Sequence, residues 1–99
     1  MYEFGAAEFK DFVWIRQGTE FSNVSLVELE MISTGAFRLE VVRGGNVISS
    51  GARVNAGWST FDFRSGMNPP VVSGMSPYQL RFMNASPGLK KIKHGQITP

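Results

Sequence analysis

The chain has 99 residues, which suffices for one domain over residues 1–99 with a modest core and leaves no room for a second. Its net charge is only +2, without a basic stripe, which argues against a dedicated nucleic-acid binder. It contains no cysteine, so disulfides, thiolate catalysis and cysteine-ligated metal sites are excluded.

The first residues, MYEFGAAEF, lack the basic and apolar regions of a signal peptide. No apolar run in the chain approaches the length of a membrane span. We therefore expect a protein made without a signal peptide and with no membrane partner, and its localisation otherwise stays open.

The N-terminal half is predicted to form an arm followed by strands. Residues 1–8 are weakly patterned and are expected to be the arm, whereas residues 9–17, FKDFVWIRQ, are β-rich and aromatic. Residues 24–32 and 36–43 alternate with a period of two, as strands with one buried face do. The step Ser33-Thr34-Gly35 between these two runs is predicted to be a hairpin turn.

The strongest local signal is Arg43-Gly44-Gly45-Asn46. Two glycines stand between extended runs, and glycine adopts the positive φ angles that a two-residue hairpin needs. Residues 46–50 are therefore predicted to pair with the preceding strand, and Ser50-Gly51 to close it.

The C-terminal half continues this rhythm. Residues 57–64 and 77–84 alternate, and residues 65–77 between them contain three prolines and are predicted to be a loop. Residues 89–99 are predicted to be a basic C-terminal strand or tail that is solvated or docks a partner. The side chains predicted to face inward are Val27, Leu29, Met31, Phe37, Leu39, Val41, Phe61, Phe63, Tyr78, Leu80 and Phe82.

About seven short strands with turns every eight to twelve residues indicate an all-β protein. The predicted fold is a small antiparallel β-sandwich of the jelly-roll or immunoglobulin-like kind, with terminal arms.

No catalytic, metal or cofactor site is predicted. The one histidine, His94, lies in the basic C-terminal segment without triad spacing, and no further histidine or cysteine is present to complete a metal site. Glu28 and Glu30 are expected about 7 Å apart on one face of a strand, a spacing compatible with the paired carboxylates of a glycosidase. Outward glutamates are more often solvated or paired, here with Arg38 on the next strand. The glycine-rich turns lack a phosphate-loop lysine.

The stretch GWSTFDFRSG raises the question of a ligand face. Trp58 has the parity of the outward-facing residues. A bulge at Gly57 would instead turn the indole into the core, and burial statistics slightly favour this buried position. If residues 58–64 pair with residues 77–84, an indole would lie among polar groups that could bind a sugar or anchor a protein interface. The candidate ligand residues are Trp58, Asp62, Arg64, Gln79 and Arg81.

The leading end of the chain suggests a surface covered by assembly. The first predicted strand is apolar on both faces, and a small domain has little with which to cover the second face. Other protein subunits would supply the cover. The candidate interface residues are Tyr2, Phe4, Phe9, Phe12 and Trp14.

The run GAFRLEVVRGGNVISSG, with GWSTFDF and SPYQLRFMN after it, resembles in its strand rhythm two groups of proteins. One group comprises carbohydrate-binding β-sandwich modules, and the other comprises small jelly-roll or immunoglobulin-like proteins that decorate phage capsids and tails. The short chain with terminal arms and no catalytic set is more similar to the second group. That resemblance implies a non-enzymatic, oligomeric structural component of a virion, with carbohydrate binding as the alternative.

Overall fold

A computed structural model describes all residues from 1 to 99 and contains nine β-strands. The strands are β1 (Tyr2–Phe4), β2 (Ala7–Phe9), β3 (Phe12–Trp14), β4 (Leu26–Met31), β5 (Phe37–Arg43), β6 (Asn46–Arg53), β7 (Gly57–Asp62), β8 (Gln79–Asn84) and β9 (Lys90–Thr98). Two single-turn segments, Ile15–Gly18 and Ser73–Met75, complete the regular structure. No helix in the structure has the length and apolar character that crossing a membrane requires.

The strands form two antiparallel sheets packed face to face, which confirms the predicted β-sandwich. The first sheet has the order β1-β9-β4-β7, with β2 also paired to β9, and the second has the order β3-β8-β5-β6. The pairs β5·β6, β4·β7, β3·β8 and β2·β9 are nested one outside the next, as in one long hairpin rolled into two layers. This nesting is the jelly-roll arrangement rather than the immunoglobulin-like one.

The core between the sheets contains all the residues that alternation predicts to face inward, together with eight others. One cluster of 19 buried hydrophobic side chains fills this space. All eleven side chains predicted to face inward are buried, because a period of two places alternate residues on one face of a strand. Aromatic pairs such as Phe37–Phe61 and Phe4–Phe82 join the two layers, with ring centroids 6.1 and 5.9 Å apart.

The β5–β6 hairpin confirms the glycine-pair prediction. Arg43 and Asn46 are paired, and Gly44 and Gly45 between them have φ angles of 58° and 80°. Strand β6 runs on to Arg53, so the prediction that Ser50-Gly51 closes it is wrong. Gly51 acts there as a site of close approach and not as a turn, since a Cβ atom would lie 2.7 Å from the Gly66 carbonyl oxygen and 2.9 Å from the Met67 sulfur.

The predicted hairpin at Ser33-Thr34-Gly35 is wrong. Strand β4 belongs to the first sheet and β5 to the second, so the connection between them crosses from one layer to the other. Alternation specifies only which face of a strand is buried. Strands β4 and β5 both bury their apolar faces because they lie in opposite sheets that pack against each other.

The N-terminal segment is part of the first sheet, so the predicted arm is wrong. β1 and β2 both pair with β9, at Tyr2↔Ile97 and at Ala7↔Ile92. The predicted strand over residues 9–17 is also broken. The chain passes from β2 in one sheet to β3 in the other, and Arg16 and Gln17 then adopt left-handed φ angles of 54° and 56°.

The basic C-terminal segment is a strand, and it occupies an internal position. β9 lies between β4 on one side and β1 and β2 on the other, so the tail alternative is wrong. Lys90 is 1% exposed, and its ammonium group lies 3.1 Å from the Gly88 carbonyl oxygen and 3.4 Å from that of Pro87. This lysine therefore binds the preceding turn instead of contributing to a basic surface.

Candidate ligand-binding site on the first sheet

The outer face of the first sheet carries a row of three side chains: a carboxylate, an indole and an imidazole. In the register of the central strands, Glu30 on β4 is paired with Trp58 on β7 and with His94 on β9. Side chains in one register row point to the same face of a sheet. Sheet pairing thus brings together three residues that lie up to 64 positions apart in the sequence.

The indole of Trp58 faces solvent, with 56% of the residue exposed. Gly57 has a positive φ of 86°, but it pairs directly with Met31 and inserts no extra residue into the ladder. Ser59 and Phe61 take the inward positions that follow. The prediction of a buried indole, based on burial statistics, is therefore wrong. The alternation of the strand, which places Trp58 on the outer face, is confirmed.

Trp58 and His94 are in contact over the row. Their ring centroids are 5.1 Å apart with the planes tilted by 58°. The Nε2 atom of His94 lies 3.0 Å from the Glu30 Oε1 atom, and the Lys93 ammonium is 3.9 Å from the same oxygen. Glu30 thus fixes the imidazole, and the imidazole supports one side of the indole.

A bulge in β9 and a break in the edge strand coincide beside this row. The register of β9 against β4 shifts between Glu30 and Met31, which leaves both Lys93 and His94 on the outer side. Opposite them, β1 ends at Phe4 and β2 begins at Ala7. Bulges and strand breaks re-aim side chains and open a sheet to other molecules.

A concavity of about 430 Å³ lies at this position. It is lined by Glu3, Phe4, Gly5, Trp58, His94, Gly95 and Gln96. Gln96 donates to the Glu28 Oε1 atom at 2.9 Å, which leaves the other oxygen of that carboxylate free to accept. Glu3 is exposed and its carboxylate has no partner within the chain. The lining therefore combines the indole face with the Glu3 carboxylate and the Gln96 amide, and Gln96 holds the Glu28 carboxylate beside it.

The predicted ligand face is not assembled as expected. Residues 58–62 belong to the first sheet and residues 79–84 to the second, so the pairing on which that face depended does not occur. Only Trp58 belongs to the concavity. Asp62 accepts a bond of 2.8 Å from the backbone N–H of Arg64 in a turn, and Gln79 donates to the Gly18 carbonyl at 2.6 Å.

Arg81 serves an ionic cluster on the outer face of the second sheet. Its Nε atom is 2.8 Å from Glu40 Oε1, and Arg38 Nε is 3.4 Å from Glu40 Oε2. Glu40 is only 6% exposed, which makes it a buried carboxylate with two guanidinium partners. The expected pairing of Arg38 with Glu28 or Glu30 is wrong, because those glutamates lie in the other sheet.

The candidate interface residues divide into two groups. Phe9 is buried at 3% exposure, and Tyr2 and Phe4 pack against the core. Phe12 and Trp14 lie on the outer face of the second sheet, where the Arg81 guanidinium is 5.4 and 5.2 Å from their ring centroids. Phe12 is 45% exposed. The predicted strand over residues 9–17 is thus apolar on both faces because one set of its side chains, including Phe9, packs in the core of its own chain.

Sequence reasoning missed Glu3, Gln96 and the contact of His94 with Trp58. The sequence does indicate that Gln96 faces outward, because it alternates with the apolar Ile97. This orientation places Gln96 near Glu28 only once β9 is known to lie beside β4. No group of three or more histidine, aspartate or glutamate side chains comes together in a way that could hold a metal ion.

Fold and site together define a jelly-roll β-sandwich with a solvent-facing tryptophan in a polar concavity on one sheet. Comparisons with protein-family models, with curated proteins and with solved structures found no match to this chain.

Proposed function

We propose that this protein is a non-enzymatic carbohydrate-binding module that uses the concavity around Trp58. The single observation that carries the proposal is the exposed indole beside acceptors that have free lone pairs. Jelly-roll folds include both lectin domains and viral capsid proteins, so the fold alone does not choose between functions.

The chemistry of the concavity matches a sugar ring. An indole presents a flat apolar face on which the C–H groups of a pyranose can stack. The Glu3 carboxylate and the free Glu28 oxygen can accept hydrogen bonds from hydroxyl groups, and the Gln96 amide can donate. The concavity is more polar than the usual ligand pocket, which suits a ligand covered with hydroxyl groups.

A glycan array probed with the wild type and with Trp58→Ala tests the proposal. We expect binding by the wild type that falls at least about tenfold in the variant, because a central tryptophan commonly dominates binding energy. Phe12→Ala removes another exposed aromatic side chain, from the other sheet, and is expected to keep full binding. Absence of binding by the wild type would overturn the proposal.

A second proposal is self-assembly through the outer face of the second sheet. Phe12, Trp14 and the Arg81 guanidinium between them support it, since aromatic and arginine side chains are enriched in interfaces. In this second proposal, the protein would be a structural component of a virion that holds neighbouring subunits together. The proposal ranks second because Tyr2, Phe4 and Phe9 pack against the chain's own core.

Sedimentation velocity over a range of concentrations tests assembly. We expect a concentration-dependent oligomer that Phe12→Glu dissociates and Val54→Glu, at another exposed apolar position, does not. A wild-type protein that stays monomeric at high micromolar concentration would end this second proposal.

A further inference from the structure

We infer that the Trp58 site selects sugars that carry a protonated amino group, of the glucosamine type, over acidic sugars. This inference rests on the proposed carbohydrate function. The observations behind it are the charge distribution on the outer face of the first sheet and the partners that each charged group already has.

The outer face of the first sheet is acidic in a chain whose net charge is +2. Its carboxylates belong to Glu3, Glu8, Glu28, Glu30 and Asp62, and its ammonium groups to Lys91 and Lys93. A surface with one dominant sign of charge raises the local concentration of ligands of the opposite sign. This face therefore attracts cations, although the whole protein does not.

The two lysines on this face are already engaged. Lys91 lies 3.9 Å from Glu8, and Lys93 lies 3.9 Å from Glu30. Glu28 has only the neutral Gln96 amide as a partner, and Glu3 has none. The carboxylates nearest the concavity thus keep their negative charge uncompensated by lysine or arginine.

The lining of the concavity contains no lysine and no arginine, and the Nε2 atom of its one histidine, His94, is engaged by the Glu30 carboxylate at 3.0 Å. A uronic acid or a phosphorylated sugar would place its anion next to the Glu3 carboxylate without a free cationic partner, which is unfavourable. An ammonium group at the same place would gain the Glu3 carboxylate and a position against the indole. Tryptophan is the aromatic side chain that attracts cations most strongly.

Three oligosaccharides of equal length test the inference by isothermal titration calorimetry at pH 6. They are the glucosamine oligomer, its fully N-acetylated counterpart and a galacturonate oligomer. At this pH the carboxylates keep their charge, since the ordinary pKa of glutamate is about 4.3. We expect the glucosamine oligomer to bind at least about tenfold more tightly than the acetylated one, with no binding of galacturonate.

Glu3→Gln isolates the charge from the rest of the site. Glu3 is exposed and makes no contact that the fold needs, so the variant is expected to fold normally. It should weaken binding of the glucosamine oligomer about three- to tenfold more than binding of the acetylated oligomer, because glutamine keeps an acceptor oxygen for hydroxyl groups and loses only the charge. Glu20→Gln, which removes an exposed carboxylate outside the first sheet, should change neither. Added salt should reduce the preference for the amine.

The possible failures can be told apart. Equal or tighter binding of the acetylated or galacturonate oligomer would overturn the inference and leave carbohydrate binding in place. Binding of other glycans on the array without the glucosamine oligomer would have the same meaning. No binding of any glycan would overturn the proposed function and this inference together.

Discussion

The indole of Trp58 on β7 and the imidazole of His94 on β9 have ring centroids 5.1 Å apart, although β4 separates their strands. Neighbouring strands lie about 4.8 Å apart, so the two backbones are roughly 10 Å from each other and the rings close this distance over Glu30. The contact spans three strands of the sheet. It therefore reports on the register of β7, β4 and β9 together.

The two tryptophans should differ in their access to solvent. Trp58 is the more exposed, while Trp14 is half-buried beside the Arg81 guanidinium. We expect acrylamide to quench the fluorescence of Trp14→Phe, which retains Trp58, more strongly than that of Trp58→Phe. Acrylamide is preferred to iodide because the carboxylates near Trp58 would repel an anion. Equal quenching constants would contradict the orientation of Trp58.

Gly95 should be intolerant of a side chain. A Cβ atom at this position would lie 2.5 Å from the Glu28 carbonyl oxygen and would also collide with the Phe4 ring. Because both neighbours are held by the sheet, we expect Gly95→Ala to lower the free energy of unfolding by about 1–3 kcal/mol in urea denaturation.

Gly74→Ala is the matched control for Gly95→Ala. A Cβ atom at Gly74 would meet nothing within 4 Å, and this glycine does not have a positive φ. The control should stay within about 0.5 kcal/mol of the wild type. Equal effects of the two substitutions would argue against the placement of β1 over β9.

The buried carboxylate of Glu40 should depend on Arg81 more than on Arg38. The Arg81 side chain is 22% exposed and donates at 2.8 Å, whereas Arg38 is 40% exposed and lies 3.4 Å away. Removing the main partner of a buried charge is strongly destabilising. We expect Arg81→Leu to cost about 2–4 kcal/mol of unfolding free energy and Arg38→Leu less than about 1 kcal/mol.

A double variant checks the cause of that difference. Glu40→Met combined with Arg81→Leu removes the charge together with its partner, so it should be more stable than Arg81→Leu alone. If the double variant were the less stable of the two, the loss would come from packing instead of from the unpaired carboxylate.

Lys90 should be a structural lysine. Its ammonium group is buried against the carbonyl oxygens of Pro87 and Gly88. We expect Lys90→Met, which keeps the length of the side chain, to lower the unfolding free energy by about 1–3 kcal/mol, because buried carbonyls lose a charged donor. Thermal or urea denaturation measures the change. The exposed Lys91 provides the comparison, and an effect of Lys91→Met as large as that of Lys90→Met would refute this role.

The faces of the strands were predictable from sequence. Phe37, Leu39 and Val41 are buried as alternation requires, and the same rule places Trp58 outward. The Gly44-Gly45 hairpin was also predictable, because its conformation depends on two adjacent residues. Both predictions rest on local geometry, which the chain specifies within a few residues.

The neighbours of each strand were not predictable in this way. A period of two specifies a buried side, and it is compatible with several partners and both sheets. The crossing at Ser33-Thr34-Gly35 and the separation of β7 from β8 follow from the nesting of the whole chain. They depend on contacts between residues far apart in sequence, for which single-sequence patterns contain no signal.

By itself, the amino-acid sequence determined that this protein is a β-sandwich, which eleven side chains form the centre of its core and that it has no cysteine chemistry. Only the tertiary structure decided that β9 lies inside a sheet and that Glu30, His94 and Trp58 share one row. It also decided that Tyr2, Phe4 and Phe9 turn inward. The physical reason is that side-chain alternation is local, whereas strand pairing is chosen by the burial of all strands together.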